Sequence, residues 1–434
     1  MSVSTILLPL LLLLSGSSAS HFHGGTMTFN PKEVNADGSY TVDIRFKLAI
    51  RTACSTTAWA NRWTCQSGNC GNISSNALYN LDSSSGDWCQ WEEVMIRNVD
   101  TNLPFILQQF NGNWITTYVG DILWRLRTTV DLGVRSDTGT ANRSPQTTVI
   151  PLLLVPVNCP RDFQLLAHDP DGDLVQCRQA LLENQECVDC SLPVPSIFTL
   201  KSPCTLSYLN TSISAENTYA VQIMMEDFPT ASITLSYKDG SQSNRTSLLS
   251  PLSKLPVQFA VRVGAAVPSC AEGEYLPRFL SPTPAYGTHF YVAVNNTLEI
   301  SVRAEALYST VTELLVSGPH NFTKTTTATG QFTIRWTPTA DDDRQDHSIC
   351  FVSQALNNDS SSIKYHSELR CVIVTVGNLS GVPVGLTMRV SSVTKLNETY
   401  IKEVFLQQLR EELIRRGLPA DITVGLRKVQ ALSP

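Results

Sequence analysis

Twelve cysteines, spread from Cys54 to Cys371, constrain this chain more than any other feature. An even number of this size reads most simply as six disulfides, provided that the chain matures in an oxidising compartment. The first twenty residues, MSVSTILLPLLLLLSGSSAS, supply that condition. An apolar stretch, Ile6–Leu14, is broken only by Pro9, and Ser18 and Ser20 follow in place for cleavage after Ser20. This is the layout of a secretory signal peptide over residues 1–20. Its apolar core is far shorter than the ~20 residues of a membrane span. A second run, Val149–Val157, carries two prolines and reads as a buried strand. The closing GLRKVQALSP is polar, so the mature product is expected to be secreted, soluble and without a membrane span.

Nine Asn-X-Ser/Thr sequons agree with that route: Asn72, Asn142, Asn210, Asn244, Asn295, Asn321, Asn358, Asn378 and Asn397. Charged residues make up only 16% of the chain, and Ser, Thr and Asn fill the difference, as on glycosylated β-rich surfaces. A formal net charge of −6 argues against nucleic acid as a partner, which needs clustered Lys and Arg.

At 434 residues the chain is expected to hold two to four domains. Four segments follow the leader. Residues 21–156 open with GGTMTF and the alternating run DGSYTVDIRFKLAI. They then crowd Cys54, Cys65, Cys70 and Cys89 together with Trp59, Trp63, Trp88 and Trp91. This is a Cys/Trp-rich β domain. Residues 157–264 read as short strands (FQLLAHD, DLVQCRQ, CTLSYL, YAVQIMMED, SITLSY, PVQFAVRV) parted by turns at Asp171-Gly172 and Asp239-Gly240. Residues 265–377 repeat the style with TLEISVRAE, TELLVSG, GQFTIRW, SICFVSQA and LRCVIVTV. Many short strands in about 110 residues suggest a β-sandwich for each. Residues 383–434 form a strand–helix–strand unit. Its helix, 397–416, is marked by Ile401, Val404, Phe405, Leu409 and Leu413 and stopped by Gly417 and Pro419. The fold class is mainly β: tandem sandwiches with a small C-terminal β-α-β unit.

The stretch LLAHDPDGDLVQCR, Leu165–Arg178, resembles the Asp-rich strand–turn–strand of cadherin-like, calcium-binding β-sandwich modules. GQFTIRWTPTADDD, with ICFVSQA and RCVIVTV after it, is similar to the late strands of the same cadherin-like and Ig-like group. The resemblance covers about 220 residues, 157–377. The HGGTMTF opening, the Cys/Trp-rich loop and DPDGD together resemble the layout of secreted modular animal proteins. The resemblance itself attaches no activity; compartment and modular β architecture point to extracellular binding or structural association. The DxNDN linker run of adhesion cadherins is absent.

Asp169, Asp171 and Asp173 alternate through DPDGD, so their oxygens can converge on one hard cation while Gly172 tightens the turn. Glu226 and Asp227 end another strand and are candidates to complete the six to eight oxygens that calcium prefers. The competing reading is a solvated Asp-Gly turn with no cofactor. Asp341, Asp342 and Asp343 form a second acidic corner, read as a solvated loop. Cys187-Val-Asp-Cys190 reads as a disulfide in this compartment, beside Cys177 and Cys204. Segment two holds five cysteines (Cys159, Cys177, Cys187, Cys190, Cys204) and segment three holds three (Cys270, Cys350, Cys371). Full oxidation therefore requires a bridge between segments, with Cys270 to segment two the natural one, and Cys350–Cys371 pairs two late strands. Cleavage after Ser20 would expose His21-Phe22-His23, a possible square-planar copper constellation, against the reading of a frayed end.

G-x-S-x-G, H-E-x-x-H, P-loop and G-x-G-x-x-G patterns are absent. His289, His320, His347 and His366 are not paired at ligand spacing and are read as surface or strand-face residues. The expected function is non-enzymatic: a secreted, glycosylated, disulfide-linked protein that binds an extracellular protein or glycan, with structural calcium as its one candidate cofactor. The alternative is a carbohydrate-binding lectin or glycan-directed hydrolase, in which the tryptophans stack on sugar rings.

Overall fold

A computed structural model describes residues 21–51, 63–84, 87–190, 197–209, 216–360, 362–377, 405–415 and 424. The leader, Cys54, Trp59, Asn210, Asn378, Asn397 and the two C-terminal strands expected around the helix lie outside the described residues. Two units are present, one up to Gly377 and one from Asn378 onward. In the second unit, helix α1 (Leu406–Arg415) carries the expected amphipathic sequence.

The first unit begins with β1 (His21–Val34), β2 (Tyr40–Ile50), β3 (Thr64–Ser67), β4 (Asn72–Ser84), β5 (Trp88–Val99), β6 (Phe105–Trp114), β7 (Leu123–Val130) and β8 (Val134–Arg135). It continues through β9 (Leu152–Pro156), β10 (Arg161–Gln164), β11 (Leu174–Gln179), β12 (Phe198–Lys201), β13 (Thr205–Tyr208), β14 (Asn217–Phe228), β15 (Ile233–Ser236), β16 (Gln242–Arg245) and β17 (Ser253–Gly264). The last group is β18 (Arg278–Leu280), β19 (Thr288–Val292), β20 (Leu298–Glu305), β21 (Ser309–Ser317), β22 (Thr323–Ala328), β23 (Gln331–Trp336), β24 (Asp346–Asn357), β25 (Lys364–His366) and β26 (Arg370–Val376).

The central sheet runs β11-β14-β17-β7-β6-β1-β2-β5-β4, with β3 on β6 and β9 on β17. β11, β14 and β17 come from residues 157–264, and all the others from 21–156. The boundary expected at 156/157 therefore falls inside one sheet. The cause is β17, which pairs with β14 over its full length and also with β1, β7 and β9. Where β17 crosses β1, Gly24 Cα sits opposite Phe259. A Cβ on Gly24 would stand 2.2 Å from the Gln258 carbonyl oxygen, and its φ of +142° suits only glycine. The first glycine of HGGTMTF is therefore required by strand crossing. Phe22 beside it stacks on Trp124 at 4.3 Å and meets Trp114 edge-on at 4.7 Å.

The third segment is a sandwich of two sheets, β18-β20-β23-β22 and β19-β26-β24-β21, with β25 on β24. Period-2 alternation explains its core. Ile349 and Phe351 of β24 face Ile300, Phe332, Ile334 and Trp336. The intervening Cys350 and Val352 face the other way and join the core of the first body. One sheet is thus buried on both faces, which accounts for the unbroken apolar character of SICFVSQA and RCVIVTV.

The disulfides among the described residues are Cys65–Cys70, Cys159–Cys270, Cys177–Cys204, Cys187–Cys190 and Cys350–Cys371. Cys89 is disulfide-bonded as well. The bridge between segments is Cys159–Cys270, and Cys350 lies directly across from Cys371 in the β24–β26 pair.

Candidate functional site: an acidic turn clasped by two arginines

DPDGD lies between β10 and β11. Gly172 takes φ +83°, which lets the turn close. Asp169 Oδ1 accepts the backbone N–H groups of Asp171 and Asp173 at 2.9 and 3.1 Å. This local closure places one oxygen from each of the three aspartates within 4.8 Å of the others. Asp227 joins them from β14, because Val175 of β11 is its partner across the ladder.

Glu226 does not join. Neighbouring residues on a strand face opposite sides, so its carboxylate turns away. It accepts from Arg178 Nε and Nη2 at 3.0 and 2.8 Å, and Lys254 stands 3.5 Å away. The placement of Glu226 among the calcium ligands is corrected on that ground.

Two arginines and an asparagine complete the cluster, all from the β8–β9 region. Arg135, almost wholly buried, spans both oxygens of Asp173 and of Asp137. Arg143 binds Asp171 through its backbone N–H and through Nε, each at 2.8 Å. Asn142 Nδ2 donates to Asp227 Oδ2 at 2.8 Å, while Oδ1 of Asp227 takes the Ser253 N–H and hydroxyl. Asn142 is fully buried, so its Nδ2 has no room for a glycan in the folded chain. The described sequons at Asn72, Asn244, Asn295, Asn321 and Asn358 are exposed.

The charges do not balance. Among the described residues, the cations that pair with Asp169, Asp171, Asp173 and Asp227 are Arg135 and Arg143, and Asp137 takes a share of Arg135. Burial, with the neighbouring carboxylates, pushes Asp169 up to about 8. Burial likewise pushes Asp227 up to about 7, against the hydrogen bonds from Ser253 and Asn142. Asp169 Oδ2 is buried with no hydrogen-bond partner. A cluster with surplus carboxylate, one orphaned oxygen and hard oxygen donors fits a divalent cation of the calcium class.

A second polar assembly lies between the first body and the sandwich. On β2, Asp43, Arg45 and Lys47 alternate with Val42, Ile44, Phe46 and Leu48, and both sets are buried. Arg45 Nη2 reaches Asp342 Oδ1 at 2.9 Å and Asp43 at 3.3 Å, with Glu92 at 3.9 Å from Nη1. Lys47 stands 3.8 Å from Glu92, and the His320 N–H donates to Glu92 at 2.9 Å. Burial alone would raise Glu92. Lys47, His320 and Arg45 outweigh it and hold its carboxyl well below the ordinary range. Asp342 is therefore part of a buried seam rather than a solvated corner, although Asp341 remains exposed. Burial lowers His347 and His366 to about 3, so both are neutral, and neither is a surface residue.

The described tryptophans among the sugar-stacking candidates are core. Trp63, Trp88 and Trp91 are at most 7% exposed. At the expected cleavage point the chain lies in a sheet rather than at a frayed end. His21 starts β1, opposite Asn113, and Phe22 and His23 are buried. Arg135 and Arg143 were not singled out by sequence, since basic residues in a Ser/Thr/Asp-rich loop look like solvated charge. An Arg–Asp–Asn grouping beside the neighbouring sequon was the only available signal.

No family model matches the chain, and no curated protein matches it. Among solved structures, mouse protocadherin-24 aligns at 14% identity and a TM-score of 0.17, over 75% of this chain and 93% of that one. The N-terminal eight Ig domains of Down syndrome cell adhesion molecule align at 10% identity and 0.17, over 81% and 37%. An endo-fucoidan hydrolase of glycoside hydrolase family 107 aligns at 12% identity and 0.18. That match covers 76% of this chain and 41% of the hydrolase, so the chain spans about two fifths of it. Likeness of this degree carries no inference about activity, substrate or partner. No helix among the described residues is long and apolar enough to cross a membrane.

Proposed function

We propose that this chain is a secreted, N-glycosylated protein that works by extracellular binding or structural association, without catalysis. The observation that carries the reading is the disulfide framework, above all Cys159–Cys270, which ties the central body to the sandwich across 111 residues. Structural disulfides form and persist chiefly in oxidising compartments. A body pinned by cystines and a buried ion-pair seam suits a rigid binding surface. Its partner class is an extracellular protein or glycan. The described tryptophans present no stacking faces, so nothing specific favours the lectin alternative.

In this reading the acidic turn holds structural calcium through Asp169, Asp171 and Asp173, with Asp227 behind them. Calcium supplies the positive charge that two arginines leave short and replaces the protons on Asp169 and Asp227. The binding function is tested by applying the tagged, disulfide-intact chain to cell surfaces, followed by crosslinking. Saturable capture of a partner, or self-association, is expected. Neither in any cell type tested contradicts the reading. The calcium part is tested by thermal unfolding in millimolar calcium and then in EDTA, because a ligand of the native state raises the midpoint by mass action. A rise that disappears in Asp171→Asn is expected, and an unchanged wild-type midpoint leaves the turn to the arginines alone.

A further inference from the structure

His168 immediately precedes the acidic turn, and no other histidine lies at ligand spacing from it in sequence. The fold brings it to His289 of β19 and Asp346 at the start of β24. Each of the three offers one ligand atom within 4.8 Å of the others. His168 Nε2 stands 3.0 Å from Asp346 Oδ2, and the two imidazole rings meet edge-on at 5.3 Å.

Thr375 of β26 orders the group. Its hydroxyl donates to Asp346 Oδ1 at 2.5 Å, which commits its only proton. It therefore accepts from His289 Nε2, 2.6 Å away. That bond fixes the proton on Nε2 and leaves the lone pair on Nδ1 available. Metal-binding histidines are held in this way, with the far ring N–H donated to a polar neighbour.

We propose that His168, His289 and Asp346 form a site for a zinc-class divalent ion, with two imidazole nitrogens, one carboxylate oxygen and a water in the fourth position. Zinc bonds of about 2.0–2.2 Å place tetrahedral donors about 3.3 Å apart, close to the separation already present between His168 and Asp346. The ion takes the place of the His168–Asp346 hydrogen bond, with His168 bound through Nε2 as the neutral ring that carries its single proton on Nδ1. Donor chemistry separates this site from the acidic turn beside it: mixed nitrogen and oxygen ligands suit zinc, whereas the all-oxygen turn suits calcium. The bound ion joins the loop before β11 to β19 and β24 of the sandwich, as a staple between the two bodies.

The test uses the whole chain with its disulfides formed, stripped with EDTA and titrated with cobalt(II) alone. One equivalent is expected to bind with the visible bands of a four-coordinate ion, and zinc is expected to displace it and raise the unfolding midpoint. His289→Gln and Asp346→Asn are expected to lose the bands and about tenfold or more in affinity. Absence of stoichiometric cobalt, or His289→Gln binding as tightly as wild type, overturns the site. If the variants fail to fold, the wild type decides. Zinc that shields His168 and His289 from a histidine-acylating reagent supports the site, and reaction at the same rate with and without zinc overturns it.

Discussion

Asp169 and Asp227 are the residues through which pH acts on this fold. Both hold protons more tightly when folded than when unfolded, at about 8 and about 7 against an ordinary 3.8. Their contribution to stability is complete below the unfolded value and is lost as pH rises through the folded values. His347 and His366 act in the opposite direction. Their folded values near 3 mean that stability is lost as pH falls below 6.5. Near pH 8 the histidines are neutral in both states, and towards pH 6.5 only the unfolded chain begins to charge them, so the two carboxylates dominate this window. In EDTA the unfolding midpoint is expected to rise as pH falls from 8 to 6.5, and Asp169→Asn should flatten that slope. A flat wild-type profile would contradict the assignment. Gly24 gives a second prediction at this scale. A Cβ 2.2 Å from the Gln258 oxygen forces β1 and β17 apart. Gly24→Ala should lower stability by roughly 2 kcal/mol or more in denaturant titration, as backbone strain and overpacking combine.

At the scale of elements, strand existence was readable and strand neighbourhood was not. TLEISVRAE, GQFTIRW and LRCVIVTV became β20, β23 and β26 because alternation and turn residues mark a strand locally. The run DIRFK showed an apolar face and a charged face, which sequence alone assigns to solvent. In the fold the charged face of β2 is also covered, and Asp43, Arg45 and Lys47 find partners on β5 and near the turn at Ala340–Asp342. Those partners lie up to 302 residues away, as with Asp43 and Gln345. No local periodicity encodes such a pairing. The same limit hid the role of β17 and placed a domain boundary through its sheet. Glu226 was misassigned for the complementary reason: its strand was recognised, but the strict two-residue alternation that sends it away from Asp227 was not applied. The seam makes its own prediction. Arg45→Leu leaves Glu92 and Asp342 buried with less positive charge, so stability should fall by about 3–5 kcal/mol. A loss under about 1 kcal/mol in equilibrium unfolding would show that the seam relaxes without it.

At the scale of the whole molecule, covalent and ionic links hold the sandwich to the central body. Removing Cys159–Cys270 by paired Cys→Ser substitution releases a 111-residue separation, for which chain entropy gives roughly 4–5 kcal/mol at most. Calorimetry should show a lower midpoint, and an unchanged midpoint would mean that the seam alone fixes the two bodies. Disulfide formation was legible from the even cysteine count, because it depends on redox conditions rather than on packing. The binding partner was not legible, since a binding surface is defined by residues that meet only in three dimensions.

The central claim is that this is an oxidised, extracellular molecule. It is tested most directly by expressing the complete chain in cultured animal cells and mapping its cystine-linked peptides without reduction. The account predicts protein in the medium, glycans removable from exposed sites such as Asn72 and Asn321, an unglycosylated Asn142, and a peptide linking Cys159 to Cys270. Protein retained in the cytosol with Cys159 and Cys270 open to alkylation would contradict it.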